Sequence, residues 1–163
     1  MATMKFKDGA DYLLRLEHLE EAAKTDLLGS AVYDGAKVVA DIVKEEIGGL
    51  PVDNRRGSQD DPASGPNQYQ KKGLEKSFGI APIRNDNGFV NVKLGFDGYN
   101  GLKTKRWPQG QPNQMIARSV ERGTSWMKAN PFMKRALSKA RKRAQEAMAS
   151  RLQREIQKIM NKE

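Results

Sequence analysis

The sequence predicts an α+β fold, a small antiparallel sheet packed by two N-terminal helices and a long C-terminal helix, with two long irregular loops. Three observations predict it. Apolar residues recur at three- and four-residue steps near the N-terminus and again from Met133 onward. Between them, "GFVNVKLGF" alternates apolar with polar positions, as a strand with one buried and one wet face would. Directly before it stands Asn87-Gly88, a pair that accepts the positive backbone angles of a tight hairpin turn. At 163 residues the chain fits one domain, residues 1–163, long enough to bury a modest core without disulfides or metal.

The first helix is predicted over residues 11–24, where Tyr12, Leu13, Leu16, Leu19, Ala22 and Ala23 share a face and Asp8 or Asp11 can cap the start. A second, over about 26–47, carries Leu27, Ala31, Val38, Val39, Ile42, Val43 and Ile47. Gly48-Gly49 and Pro51 end it, glycine by accepting a left-handed closing residue and proline by refusing to continue the ladder. Gly29 and Gly35 weaken its regularity but permit close approach of a partner helix.

Residues 51–73 show no apolar period and read as a long exposed loop, ordered by a partner; residues 98–114 read the same way. "SFGIAPIR" should pair antiparallel with "GFVNVKLGF", with Pro82 at an edge or a bulge. "MIARSVERG" fits either a short strand or one or two helical turns. The last helix is predicted over about 131–160, with Asn130 as its cap and Pro131 in its first turn. Its stripe of Met133, Ala136, Leu137, Ala140, Ala144, Met148, Leu152, Ile156 and Ile159 is small in the first half and larger in the second. That change suggests docking on its own domain at one end and on another subunit at the other.

Composition excludes several chemistries. Without cysteine there is no disulfide framework, no thiolate nucleophile and no cysteine-ligated metal site. No apolar run reaches the roughly 18 residues of a membrane span, and the N-terminus lacks a signal-peptide core, so the sequence predicts a soluble protein made in the cytoplasm. The only histidine, His18, has no ligand-spaced companions, and Glu45-Glu46 and Asp60-Asp61 are adjacent acids that point apart or stand in solvent. No phosphate-cradling glycine loop and no nucleophile elbow occur. The expectation is a protein that is not an enzyme and uses no cofactor or metal.

Charge is uneven. Residues 8–48 hold ten acids and four bases, net −6, whereas residues 131–163 hold ten bases and three acids, net +7. Halves of opposite sign can pair within a chain or between copies, so the total of +9 is weak evidence for nucleic acid. On the last helix Lys134, Arg135, Lys139, Lys142 and Arg143 oppose the apolar stripe. Such an array serves phosphate binding, a salt-bridged contact with an acidic helix of a neighbour, or plain solvation. Lys103, Lys105, Arg106 and Trp107 add an aromatic to a basic cluster, compatible with single-stranded nucleic acid or with anchoring of the loop itself. A basic DNA-binding protein using the C-terminal helix and the 103–107 cluster is therefore the alternative reading.

At residues 116–137, "IARSVERGTSWMKANPFMKRAL" resembles a signature of tailed-phage neck and tail-completion proteins, a family related in architecture to the minor tail protein Z of lambda-type phages. The pattern is Tyr-Ala-x-x-Val-Glu-x-Gly-Thr, a spacer, then Pro-Phe-Leu-x-x-Ala-Leu opening a long charged helix. Ala117, Val120, Glu121, Gly123, Thr124, Pro131, Phe132, Ala136 and Leu137 match it, with Ile116 and Met133 as substitutes. "GAKVVADIVKEEIGGLPVDN", "KKGLEKSFGI" and "GFVNVKLGF" resemble the family's second helix, first strand and hairpin, in the family's order. Residues 51–73 look like an insertion, and 98–114 look longer than usual.

The resemblance implies a structural virion protein, a ring of six or twelve copies at the head-tail joint of a bacteriophage, assembled in the bacterial host cytoplasm. The implied partners are the connector, head-closure and tail-tube proteins, with non-specific contact to genomic DNA in the channel and none to membrane. Glu121, Gly123, Thr124, Trp126, Pro131, Phe132 and Leu137 are then the expected packing and subunit anchors. Phe132 would fix the last helix to the sheet, with Trp126 beside it.

Overall fold

The computed structural model describes residues 21–161. Two long helices frame the molecule, α1 (Glu21–Gly48) and α4 (Phe132–Met160). Between them the chain forms α2 (Gln68–Ser77), β1 (Phe78–Ile80), β2 (Arg84–Asp86), β3 (Phe89–Asn91), β4 (Leu94–Phe96) and α3 (Asn113–Arg122). The fold is α+β, as the periodicities predicted. Residues 11–20 of the first predicted helix lie outside the described residues, as does His18. Within them, α1 runs unbroken through residues 24–26, where two helices were expected to meet.

α1 and α4 are antiparallel. Glu46, near the end of α1, meets Arg135 and Lys139 near the start of α4, and Asp34 reaches Arg151. The contact is close because its side chains are small. Ala136, Ala140 and Ala144 are at most 1% exposed, and a Cβ added at Gly35 would come within 2.6 Å of Met148 Cγ. The second half of α4 packs in the same way, with Leu152 and Ile156 buried against Leu27 and Ala31. Both halves of its apolar stripe therefore cover α1 of its own chain. Leu137 leaves the stripe: about 100° round the axis from Ala136, it is 51% exposed.

The glycines ending α1 act differently from expectation. Neither Gly48 nor Gly49 has a positive φ; the helix closes through Gly49 N–H to Glu45 O and Leu50 N–H to Ile47 O. Leu50 then turns inward and is buried. The predicted loop 51–73 is also shorter than its composition suggested, because α2 starts at Gln68. Asn67 Oδ1 accepts from Gln70 N–H at 2.9 Å, and Gln70 Oε1 accepts from Asn67 N–H at 3.0 Å. This reciprocal capping box satisfies two donors at a polar helix start, and Leu74 supplies the fully buried anchor.

The hairpin forms where predicted. β1 pairs with β4, Phe78 opposite Phe96, and β2 pairs with β3, Arg84 opposite Asn91. Three residues, 81–83, connect β1 to β2, against two, 92–93, on the returning side. The extra residue is a bulge at Pro82, which lacks the N–H a continuous ladder would need. Asn87 (φ 54°) and Gly88 (φ 87°) make the turn. Near the base, Phe78 meets Phe96 at a tilt of 51° (centroids 5.1 Å apart) and Phe96 meets Phe132 edge-on at 6.2 Å. Toward the tip the buried face fades, and Phe89 is 63% exposed.

"MIARSVER" is helical, within α3, with Gly123 just past its end, and it buries Ile116, Ala117 and Val120. These close the main core with Val43, Ile47, Leu74 and Phe132, which sits at 0% exposure. Replacing Phe132 with alanine empties the place where hairpin and α4 meet. Urea denaturation of Phe132→Ala should show a loss of about 3–5 kcal/mol in unfolding free energy; a loss below about 1 kcal/mol would remove its role as anchor.

Candidate functional site

The residues carrying the motif at 116–137 converge on the junction between α3 and α4. α4 begins at a proline with no side-chain cap of its own, which leaves N–H groups unsatisfied at a positive dipole end. Glu121, from the last turn of α3, meets that need. Its carboxylate accepts from Met133 N–H at 2.8 Å and from Lys134 N–H at 3.1 Å. Asn130, the expected cap, does not serve: its Oδ1 is buried without a partner, and its contributions are backbone bonds to Val120 O and from Phe132 N–H, both 2.7 Å.

Gly123 makes this geometry possible. Its φ of 75° suits glycine, and a Cβ there would lie 2.8 Å from Ala129 N. Thr124 and Met127 exchange backbone hydrogen bonds, and Thr124 Oγ1 accepts from Trp126 N–H. Trp126 itself does not pack beside Phe132: it is 55% exposed, and the ring against Phe132 is Phe96. The Trp126 backbone is used instead, its carbonyl accepting from Ala63 N–H at 2.8 Å.

That bond belongs to a strap laid down by the 51–67 segment. Ala63 bridges to Met127, Gly57 lies so close to Trp126 O that any Cβ would collide, and Asp53 N–H donates to Pro66 O. The Asp53 carboxylate gathers Arg55 Nη2 at 2.9 Å and Ser64 N–H at 2.9 Å. The Arg55 guanidinium, with the Ser64 and Arg55 amides, holds its carboxyl well below the ordinary range. Arg55 also pairs with Asp61. Polar side chains thus order a segment that the absence of apolar period had suggested would await a partner.

The second long loop is pinned similarly. Asn100 and Asn113 are 5% and 3% exposed; Asn100 Oδ1 accepts from Leu102 and Gln111 N–H, and Asn113 Nδ2 donates to Asp97 O. At its tip Thr104 and Trp107 exchange backbone hydrogen bonds of 3.0 Å. Lys103, Lys105 and Arg106 are exposed, with Arg106 over the half-buried Trp107 ring at 5.8 Å. No hydrogen bond or ion pair among the described residues ties this cluster to α4.

The basic face of α4 divides in two. Arg135 Nε sits 2.8 Å from Glu46 Oε2, and Lys139 Nζ bonds Glu46 Oε1. The acidic helix answering the basic one is therefore α1 of the same chain. Lys134, Lys142 and Arg143 are exposed and have no ion-pair partner among the described residues. Glu45, next to Glu46, faces solvent. No group of three or more His, Asp or Glu side chains suited to a metal ion occurs among the described residues, and no helix there is long and apolar enough to cross a membrane.

Compared with protein-family models, characterised proteins and solved structures, the chain matches none.

Lys139 and then Arg135, by hydrogen bonding, lower the Glu46 carboxyl below its ordinary value against the opposing effect of burial. A carboxyl depressed in the folded state stabilises the fold above its unfolded value, near about 4.3, and that contribution is lost as pH falls through the folded value. Glu46→Gln should therefore be less stable than the unaltered chain at pH 7, with the gap narrowing below about pH 4. Urea denaturation of both chains at pH 7 and pH 3 measures it; a gap independent of pH would show that the ion pairs contribute nothing.

Proposed function

We propose that this chain is a structural subunit of a tailed-bacteriophage virion, a neck, tail-completion or tail-terminator component that forms a ring at the head-tail joint and mediates head-to-tail joining. The observation that carries the reading is the shared duty of the motif residues. Val120 and Phe132 are buried to 0%, Glu121 caps α4, Gly123 permits the turn, and Ala136 lets α4 approach α1. A junction held by these residues is what a family of common architecture would require, and Leu137, 51% exposed, is the motif residue that stands outside it.

The surfaces left over suit assembly. A ring joins two different faces of each copy, and α4 presents Lys134, Lys142 and Arg143 outward while Trp126 and Leu137 expose apolar area near its start. Ion pairing inside the chain has already taken Arg135 and Lys139, which leaves a DNA-gripping α4 with fewer free charges. The proposed partners are further copies of the chain, six or twelve to a ring, and the connector, head-closure and tail-tube proteins on either side.

Size-exclusion chromatography with light scattering, on the purified chain alone and mixed with connector and tail-tube proteins of the same virus, tests this. A discrete ring, or capture onto one of those components followed by ring-shaped particles in negative stain, is the expected result. A chain that stays monomeric with every component contradicts it.

A further inference from the structure

An open groove of about 1100 Å³ runs between α2 and the β1–β4 hairpin, away from the α3–α4 junction. Its charge is one-sided. Lys72 and Lys76, four residues apart on α2, share a face along it, and Lys93 comes from the hairpin. Their ammonium groups have no ion-pair partner among the described residues, in contrast to Lys71 beside them, whose Nζ is turned onto Gly48 O and Leu50 O. The one acid in the lining is Asp97, which accepts from Gly98 N–H.

Two tyrosine rings stand in the same groove, Tyr69 from α2 and Tyr99 from the loop after β4, 51% and 56% exposed. At the middle of each strand between them stands a glycine, flanked by Phe78 and Ile80 on one strand and Leu94 and Phe96 on the other. Gly79 and Gly95 are paired across the hairpin, and a Cβ at either would meet nothing within 4 Å. Flat groups can therefore lie directly on the backbone.

We infer that this groove binds a single-stranded nucleic acid, with phosphates on Lys72, Lys76 and Lys93 and unpaired bases stacked on Tyr69 and Tyr99. Unpaired cations alone would suit any polyanion; exposed rings beside a bare glycine floor add the means to hold bases, which a carboxylate-rich peptide does not offer. The groove exceeds the roughly 300–1000 Å³ that encloses a small ligand and is open along its side, as a polymer needs. The inference does not rest on the ring proposal: the α4 face and the groove are separate surfaces, and either can fail alone.

The probe is a fluorescein-labelled twelve-residue oligodeoxythymidylate, followed by anisotropy with the full chain over a salt series. Three phosphate contacts predict a logarithmic salt slope of about −2, since each single-strand contact contributes about 0.7. Lys72→Ala/Lys76→Ala should reduce that slope to about −0.7, and Tyr99→Ala should weaken binding at least about fivefold while Tyr99→Phe retains it. All these side chains are exposed, so circular dichroism should be unchanged. Lys142→Ala/Arg143→Ala on α4 should leave binding intact. The inference is overturned by no binding at low salt, by loss of binding in the α4 variant but not the groove variants, by equal affinity for a duplex of the same length, or by polyglutamate competing as well as unlabelled oligonucleotide.

Discussion

Closing α1 against α4 at the distance set by Gly35, Ala136, Ala140 and Ala144 is the constraint from which the other contacts follow. Helices whose facing residues are small approach closely, and larger side chains on the flanks then meet as a continuous surface. Here that surface is Val43, Ile47 and Phe132, on which the hairpin base and α3 come to rest. Without a fixed α4 start, Phe96 would lose its edge-on contact with Phe132 and α3 would have no helix to cap.

The start of α4 is in turn fixed by two opposed chemistries. Phe132 contributes apolar burial, and Glu121 satisfies amides that Pro131 and Asn130 leave open. The Glu46 pairs with Arg135 and Lys139 hold the next turns to α1. A basic helix that looks available for partners is thereby half committed to its own domain. What remains outward without an ion-pair partner among the described residues is Lys134, Arg141, Lys142, Arg143 and Arg154.

Much of this was legible in the residues, and several of the failures share a cause. The hairpin was readable because Asn87-Gly88 and the alternation after it are local signals, and the missing N–H of Pro82 pointed to an edge or a bulge, of which the structure has the bulge. The long helices were readable from periodicity. What stayed hidden depends on contacts distant in sequence: Glu121 capping a helix that begins eleven residues later, Asp53 gathering Arg55 and Ser64, Asn100 and Asn113 pinning a loop. α2 escaped notice for another reason. With Leu74 as its buried apolar anchor it has almost no stripe, and its one signal was the Asn67-x-x-Gln70 capping box. Leu137 was placed inward by its four-residue step from Met133 and Trp126 by the family resemblance, yet their positions on the helix and the strap leave both in solvent.

The central claim is that α4 belongs to the fold of the single chain and offers only its outer face to others. Amide hydrogen exchange followed by mass spectrometry, at a series of protein concentrations, tests it most directly. The account predicts that the amides of residues 136–156 exchange as slowly as those of residues 31–47, with protection unchanged on dilution. Rapid exchange throughout α4, or protection that vanishes as the protein is diluted, would contradict it.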